Sequence, residues 1–236
     1  MANRTHRIAT KLHKWIALVV GVQLMLWTVS GLFMTIWPIE TVRGEHLMAK
    51  AEAPVLDRPF VMPDFDGEPV TDVALRNIGA RAVLVVTHPT RRMMHDPYTG
   101  AAIPPPDAER IAALAGIAVA DAAAIEEVSL IEADPPSEWR GALPVWQVRF
   151  AGPERLRLYM DAVTGEVLTR RTCLWRVYDF MWMLHIMDYD GREDFNNPLV
   201  QLAAGLGLSV AISGLVLTFY RVLRRRRGPR ASIAAT

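Results

Sequence analysis

Two stretches of this sequence carry no charged residue. One runs from Trp15 to Ile39 (WIALVVGVQLMLWTVSGLFMTIWPI), the other from Phe195 to Tyr220, with its apolar part starting at Pro198. An α-helix rises about 1.5 Å per residue, so about 20 apolar residues cross a hydrocarbon layer about 30 Å thick. Both stretches reach that length, and each is longer than an ordinary buried core helix. The sequence therefore predicts two transmembrane helices, residues 15–39 and 198–220, one near each end of the 236-residue chain. A cleaved signal peptide fits the first run less well. Such segments have apolar cores of about 7–15 residues, and the small-residue sites at Ala49, Ala51 and Ala53 lie well past its end.

The flanks set an expected orientation. Arg4, Arg7, Lys11 and Lys14 precede the first run, and Arg221, Arg224 to Arg227 and Arg230 follow the second. Short basic flanks stay in the cytoplasm. This implies a bacterial inner-membrane protein with a cytoplasmic N-terminus (1–14), a basic cytoplasmic tail (221–236) and a periplasmic region between the spans. Overall charge is nearly balanced, with 26 basic and 25 acidic residues. That excludes the basic excess of a nucleic-acid binder. Cys173 is the only cysteine, so no intrachain disulfide is available.

Between the spans, residues 40–69 are rich in Pro, Asp and Glu and read as a linker, and 70–172 as one α+β domain. Val70 to Ala80 has the spacing of a short helix. Arg81–Thr87 is a β-branched strand, with Arg91–Ile103 as its hairpin return. Asp107–Ala115 has helical spacing behind a triple proline. Ile125–Ala133, Val145–Phe150, Leu156–Met160 and Val167–Arg170 follow as strands. Asp96-Pro-Tyr-Thr99-Gly100-Ala-Ala-Ile103 aligns with Asp161-Ala-Val-Thr164-Gly165-Glu-Val-Leu168. D-x-x-T-G suits a hairpin turn, because Asp bonds the backbone two residues on and Gly takes positive φ. Two copies predict an internally duplicated unit, each a helix on a small antiparallel sheet.

LPVWQVRF and LRLYMDAVTGEVLTR resemble the second half of a PepSY domain. The flanks LHKWIALVVGVQLMLWTVSGLFM and LHIMDYDGREDFNNPLVQLAAGLGLSVAISGLVL resemble the PepSY-associated transmembrane family. Larger members of that family include haem-binding ferric-siderophore reductases. The resemblance thus implies a haem-b electron-transfer component, a subunit of a ferric-reductase-type oxidoreductase linked to iron uptake. PepSY domains are also associated with protease inhibition. That implies an alternative, a non-catalytic module acting on another envelope protein such as a peptidase.

The histidines are the candidate ligands. His13 sits at the mouth of the first span, and His185 lies in the aromatic- and Met-rich segment 173–197, read as an interfacial helix and an acidic turn. A membrane-interface histidine among such side chains suits haem iron. The expected topology puts His13 and His185 about 30 Å apart on opposite surfaces, too far to share one iron. Either a homodimer pairs each with its twin, or His185 pairs with His46, with His6 a similar partner for His13. Ala203, Gly207, Ala211 and Gly214 form a small face on the second span, for packing on Ser30 and Gly31 of the first or on another chain. The methionines around His185, with Met93, Met94 and His95, offer soft copper ligands. Asp188, Asp190 and Glu193 lack the full calcium-loop pattern. No nucleophile, phosphate-loop, nicotinamide or flavin motif is present, so any electrons that enter this protein must be delivered by another component.

Overall fold

A computed structural model describes residues 2–50, 53–65, 67–120 and 124–226, with side chains for all but 2–13, 217, 220, 221 and 223–226. The chain divides into two compact units, Met1–Ile36 with Tyr178–Thr236 and Trp37–Val177. The first is the membrane unit and the second is a β-rich domain.

In the membrane unit, α1 (Ala2–Ile36) contains the span Lys14–Ile36, and α5 (Pro198–Arg226) contains the span Pro198–Val216. Only 11% and 6% of these stretches is buried within the protein. A core helix of a water-soluble protein hides its apolar surface, whereas these leave theirs for lipid. The first span ends three residues earlier than its apolar run, because Pro38 lacks an N–H and disfavours helical geometry at Trp37. Chain resumes as the single turn α2 (Ile39–Val42). Asn197 caps α5 as expected: its Oδ1 accepts from Val200 N at 2.9 Å, with Pro198 in the first turn.

The β-rich domain holds two four-stranded antiparallel sheets in simple order. The first comprises β1 (Asp72–Ile78), β2 (Arg81–Thr87), β3 (Arg92–His95) and β4 (Ala102–Ile103). The second comprises β5 (Ile125–Ile131), β6 (Val145–Phe150), β7 (Arg157–Asp161) and β8 (Val167–Arg171). Between them in sequence is α3 (Ala108–Ala118), capped by Asp107, whose side chain accepts from Arg110 N at 2.8 Å. Ile111, Leu114 and Ala115 of α3 join Ile78, Val83, Val85 and Met94 of the first sheet and Val148, Leu158 and Met160 of the second in one core.

The expected helix at Val70–Ala80 is instead strand β1. Val70, Val73, Ala74 and Ile78 fit a helical stripe. However, Gly79 and Ala80 both adopt positive φ (60° and 63°) and fold the segment back onto β2 in full register from Ile78↔Arg81 to Asp72↔Thr87. Two left-handed central residues make the hairpin turn that suits strand twist. Pairing along the whole strand then outweighs the local stripe. The duplication accordingly holds for the sheets, while among the described residues α3 is the one helix longer than four residues that lies wholly within this domain.

Both D-x-x-T-G segments form the expected turn, with matching hydrogen bonds. Asp96 Oδ1 accepts from Tyr98 N (2.8 Å) and Thr99 N (3.0 Å), and Asp161 Oδ1 accepts from Val163 N (2.9 Å) and Thr164 N (2.8 Å). Gly100 and Gly165 have φ of 72° and 73°. The turns differ in what covers them. A Cβ on Gly165 would lie 2.6 Å from Leu114 of α3, whereas one on Gly100 would meet Pro63 at 3.5 Å. Residues 57–63 thus pack on the first turn, with Arg58 stacked 4.1 Å over the Tyr98 ring and Val61 N bonded to Pro97 O.

Candidate functional site

α4 (Cys173–Ile186) begins in the β-rich domain and ends in the membrane unit. Thr172 starts it, its hydroxyl accepting from Trp175 N at 3.0 Å. At the other end the final carbonyls, which a helix leaves unpaired, find side-chain donors. Trp27 Nε1 of α1 donates to His185 O (2.8 Å), and Asn197 Nδ2 donates to Ile186 O (3.0 Å). Arg192 pairs with Asp179, and Trp182 Nε1 donates to Arg192 O at 3.1 Å, so the acidic turn folds back along α4.

This docking brings His185 against α1. Its Nδ1 lies 2.9 Å from Ser30 Oγ, and a Cβ on Gly31 would stand 3.5 Å from its ring. Ser30 is almost wholly buried. Its Oγ is also 2.7 Å from the Leu26 carbonyl oxygen, a contact that needs the hydroxyl proton between two oxygens. The hydroxyl therefore donates to Leu26 O and accepts from His185 Nδ1–H. That tautomer leaves Nε2 unprotonated, with a lone pair and no hydrogen-bond partner among the described residues. Ser30 lies within the apolar span Lys14–Ile36, where water is scarce.

The other candidates stand elsewhere. His13 lies on α1 seventeen residues before Ser30, about 25 Å away along the helix. One iron therefore cannot join it to His185. The side chains of His6 and His13 lie outside the described residues, as do those of most of the basic tail. His46 is exposed on a single 3-10 turn, Glu45–Leu47, of the β-rich domain. His88 and His95 are buried there, with Nδ1 on the carbonyls of Pro69 (3.1 Å) and Gly100 (3.0 Å). Met94 is spent in the domain core. The described residues contain no group of three or more His, Cys, Asp or Glu able to hold a metal ion. Asp188 instead accepts four backbone N–H groups, and those of Asp194 and Glu193 do most to hold its carboxyl below the usual range. On the small face of α5, Gly207 is buried against Leu24 and Trp27 of α1, while Gly214 has no neighbour within 4 Å. The small pair Ser30-Gly31 was legible as a close-approach point. Its partner proves to be His185, 155 residues away.

A second polar cluster was not foreseen. The Glu138 carboxylate is buried on the face of the second sheet away from α3, where it accepts from Arg157 (2.9 Å), Arg176 (2.7 Å) and the Tyr159 hydroxyl (2.8 Å). Gln147 Nε2 donates to the same hydroxyl at 2.7 Å, Arg171 Nε donates to Glu138 O at 3.0 Å, and Trp139 stacks on Tyr159 at 5.1 Å. Burial alone would raise the Glu138 pKa, but the bonds from Arg176, Tyr159 and Arg157 outweigh it and hold the carboxyl below its usual range. Burial and the Glu138 charge push Tyr159 up. Both carboxylate oxygens of Glu138 are engaged, and the cluster ties β7, β8 and the start of α4 together.

The model of the PepSY-associated transmembrane region matches residues 10–234. The chain belongs to this family. No curated protein and no solved structure matches it. As a PepSY-associated membrane protein, the chain carries the two apolar helices and α+β domain that its sequence predicts. For the haem that the family resemblance implies, the donor chemistry of His185 suits an iron ligand. An anchored Nδ1–H with an open Nε2 is the usual arrangement of a metal-bound imidazole.

Proposed function

We propose that this protein is an inner-membrane haem-b electron-transfer component serving ferric-siderophore reduction or iron uptake, with His185 as an iron ligand. The observation that carries this reading is the unshared Nε2 lone pair of His185 beside an apolar span. An ionisable side chain packed on a membrane span marks a functional position by default. Bound haem would supply a one-electron Fe(III)/Fe(II) couple. The chain's own part is to aim the His185 ring, to fix which nitrogen carries the proton, and to keep water from the iron with Trp27 and the apolar face of α1.

In a homodimer, His185 and its twin would together hold one haem, and His13 and its twin would hold a second toward the other end of α1. Gly214, without a neighbour within 4 Å, leaves part of α5 available for close helix contact between copies. Basic flanks at both ends favour cytoplasmic termini and a periplasmic β-rich domain.

The test uses protein purified in mild detergent from haem-replete cells. After reduction with dithionite and removal of excess reductant, a ferric siderophore is added anaerobically and the haem α band is followed. The expected result is a band that decays as the ferric chelate is reduced. A protein with no band, or a band indifferent to the chelate, contradicts the proposal.

A further inference from the structure

We infer that Ser30 is a positioning residue for iron ligation, locking His185 in the Nδ1–H tautomer so that Nε2 alone faces the metal; this rests on the haem reading above. Three features converge on it. Ser30 is 1% exposed, so no solvent competes for its hydroxyl. Its proton goes to Leu26 O at 2.7 Å, nearer than either His185 Nδ1 at 2.9 Å or Trp27 O at 3.3 Å, which leaves its oxygen to accept from the ring. The ring is also held in place around that bond. Trp27 Nε1 holds the His185 carbonyl, and Gly31 leaves room for the ring edge.

The consequence for chemistry is directional. An imidazole that donates Nδ1–H to an acceptor becomes a stronger base at Nε2. A stronger donor stabilises ferric over ferrous iron, which lowers the midpoint potential and suits a group that must pass an electron to a ferric chelate. A serine that served only helix packing would have no such effect on potential.

Ser30→Ala removes the acceptor at almost constant volume, and Ser30→Thr restores a hydroxyl able to bond to the same Leu26 carbonyl. Haem titration and potentiometry on full-length protein in detergent provide the first readout. Ser30→Ala should bind haem about 10–100-fold more weakly and shift the midpoint potential upward, and Ser30→Thr should recover both. The second readout needs no haem. In 15N-histidine-labelled, haem-free protein, His185 should show a protonated Nδ1 and an unprotonated Nε2, with the two tautomers mixing in Ser30→Ala. A wild-type protein that binds haem, with a Ser30→Ala variant unchanged in affinity, potential and 15N shifts, overturns the inference and leaves the haem reading intact. A wild-type protein with the locked tautomer but no affinity for haem overturns the haem reading while supporting the lock.

Discussion

In the β-rich domain, the Glu138 carboxylate receives hydrogen bonds from Arg157, Arg176 and Tyr159, and its backbone carbonyl receives one from Arg171. In the membrane unit, the His185 ring has one partner, Ser30, and its second nitrogen has none among the described residues. Both groups are polar, but Glu138 is buried whereas His185 is half-buried against an apolar span. A saturated carboxylate is an architectural element: it fixes chain segments distant in sequence and has nothing left to offer. A histidine with one nitrogen anchored keeps a lone pair on the other, the chemistry on which the proposed iron ligation rests. His88 and His95 sharpen the contrast. Their Nδ1 atoms are likewise engaged by carbonyls, but they are buried in the β-rich domain rather than packed on an apolar span.

The largest effect is expected at the saturated cluster. Glu138→Ala leaves Arg157 and Arg176 without their buried counter-charge and should cost about 3–5 kcal/mol of domain stability. Thermal melts of the full chain in detergent, followed in the near-ultraviolet dichroism of the Trp139–Tyr159 stack, would show it. A melt matching wild type would remove the architectural reading. Next in size is the difference between the two turns. Asp161 binds Arg92 besides its turn amides, whereas Asp96 serves its own turn. Asp161→Ala should therefore cost about 2–3 kcal/mol, and Asp96→Ala clearly less. Equal losses would mean that the Arg92 pair contributes nothing.

Smaller still is the glycine pair. Both Gly100→Ala and Gly165→Ala force a left-handed conformation costing about 1 kcal/mol, but only Gly165→Ala also displaces Leu114. The larger loss should fall at 165. Acidification gives a graded version of the first test. At Asp161, burial works against ionisation, and the Thr164 amide, Arg92 and the Val163 amide outweigh it. Glu138 and Asp161 are thus both held below the usual carboxylate range when folded. The stability they contribute is complete above their unfolded values near pH 4 and is lost as pH falls through the lower folded values. Melting temperature against pH should drop on that acid limb, and Glu138→Gln should flatten it. An unchanged limb would assign the acid sensitivity to other groups.

Much of this was legible in the residues. Charge-free runs gave the spans, because a bilayer admits little else, and paired D-x-x-T-G segments gave both turns, because their hydrogen bonds are local. Asn197-Pro198 gave the start of α5 for the same reason. What escaped depends on distant partners. The strand β1 resembled a helix until Gly79-Ala80 folded it onto β2. Glu138 reads as a solvated loop acid, since its arginines come from β7, β8 and α4. His185 was legible as a ligand type among aromatic and Met residues. Its anchor, Ser30, was legible only as a small residue on α1, because nothing within either segment indicates that the two meet.

The most direct test is a reduced-minus-oxidised visible spectrum of wild-type, His185→Ala, His88→Ala and His95→Ala proteins, purified alike from haem-replete cells. The account predicts sharp α and Soret bands in wild type and in both β-domain variants, and their loss in a folded His185→Ala protein. Bands that survive in His185→Ala, or a featureless wild-type spectrum, would contradict it.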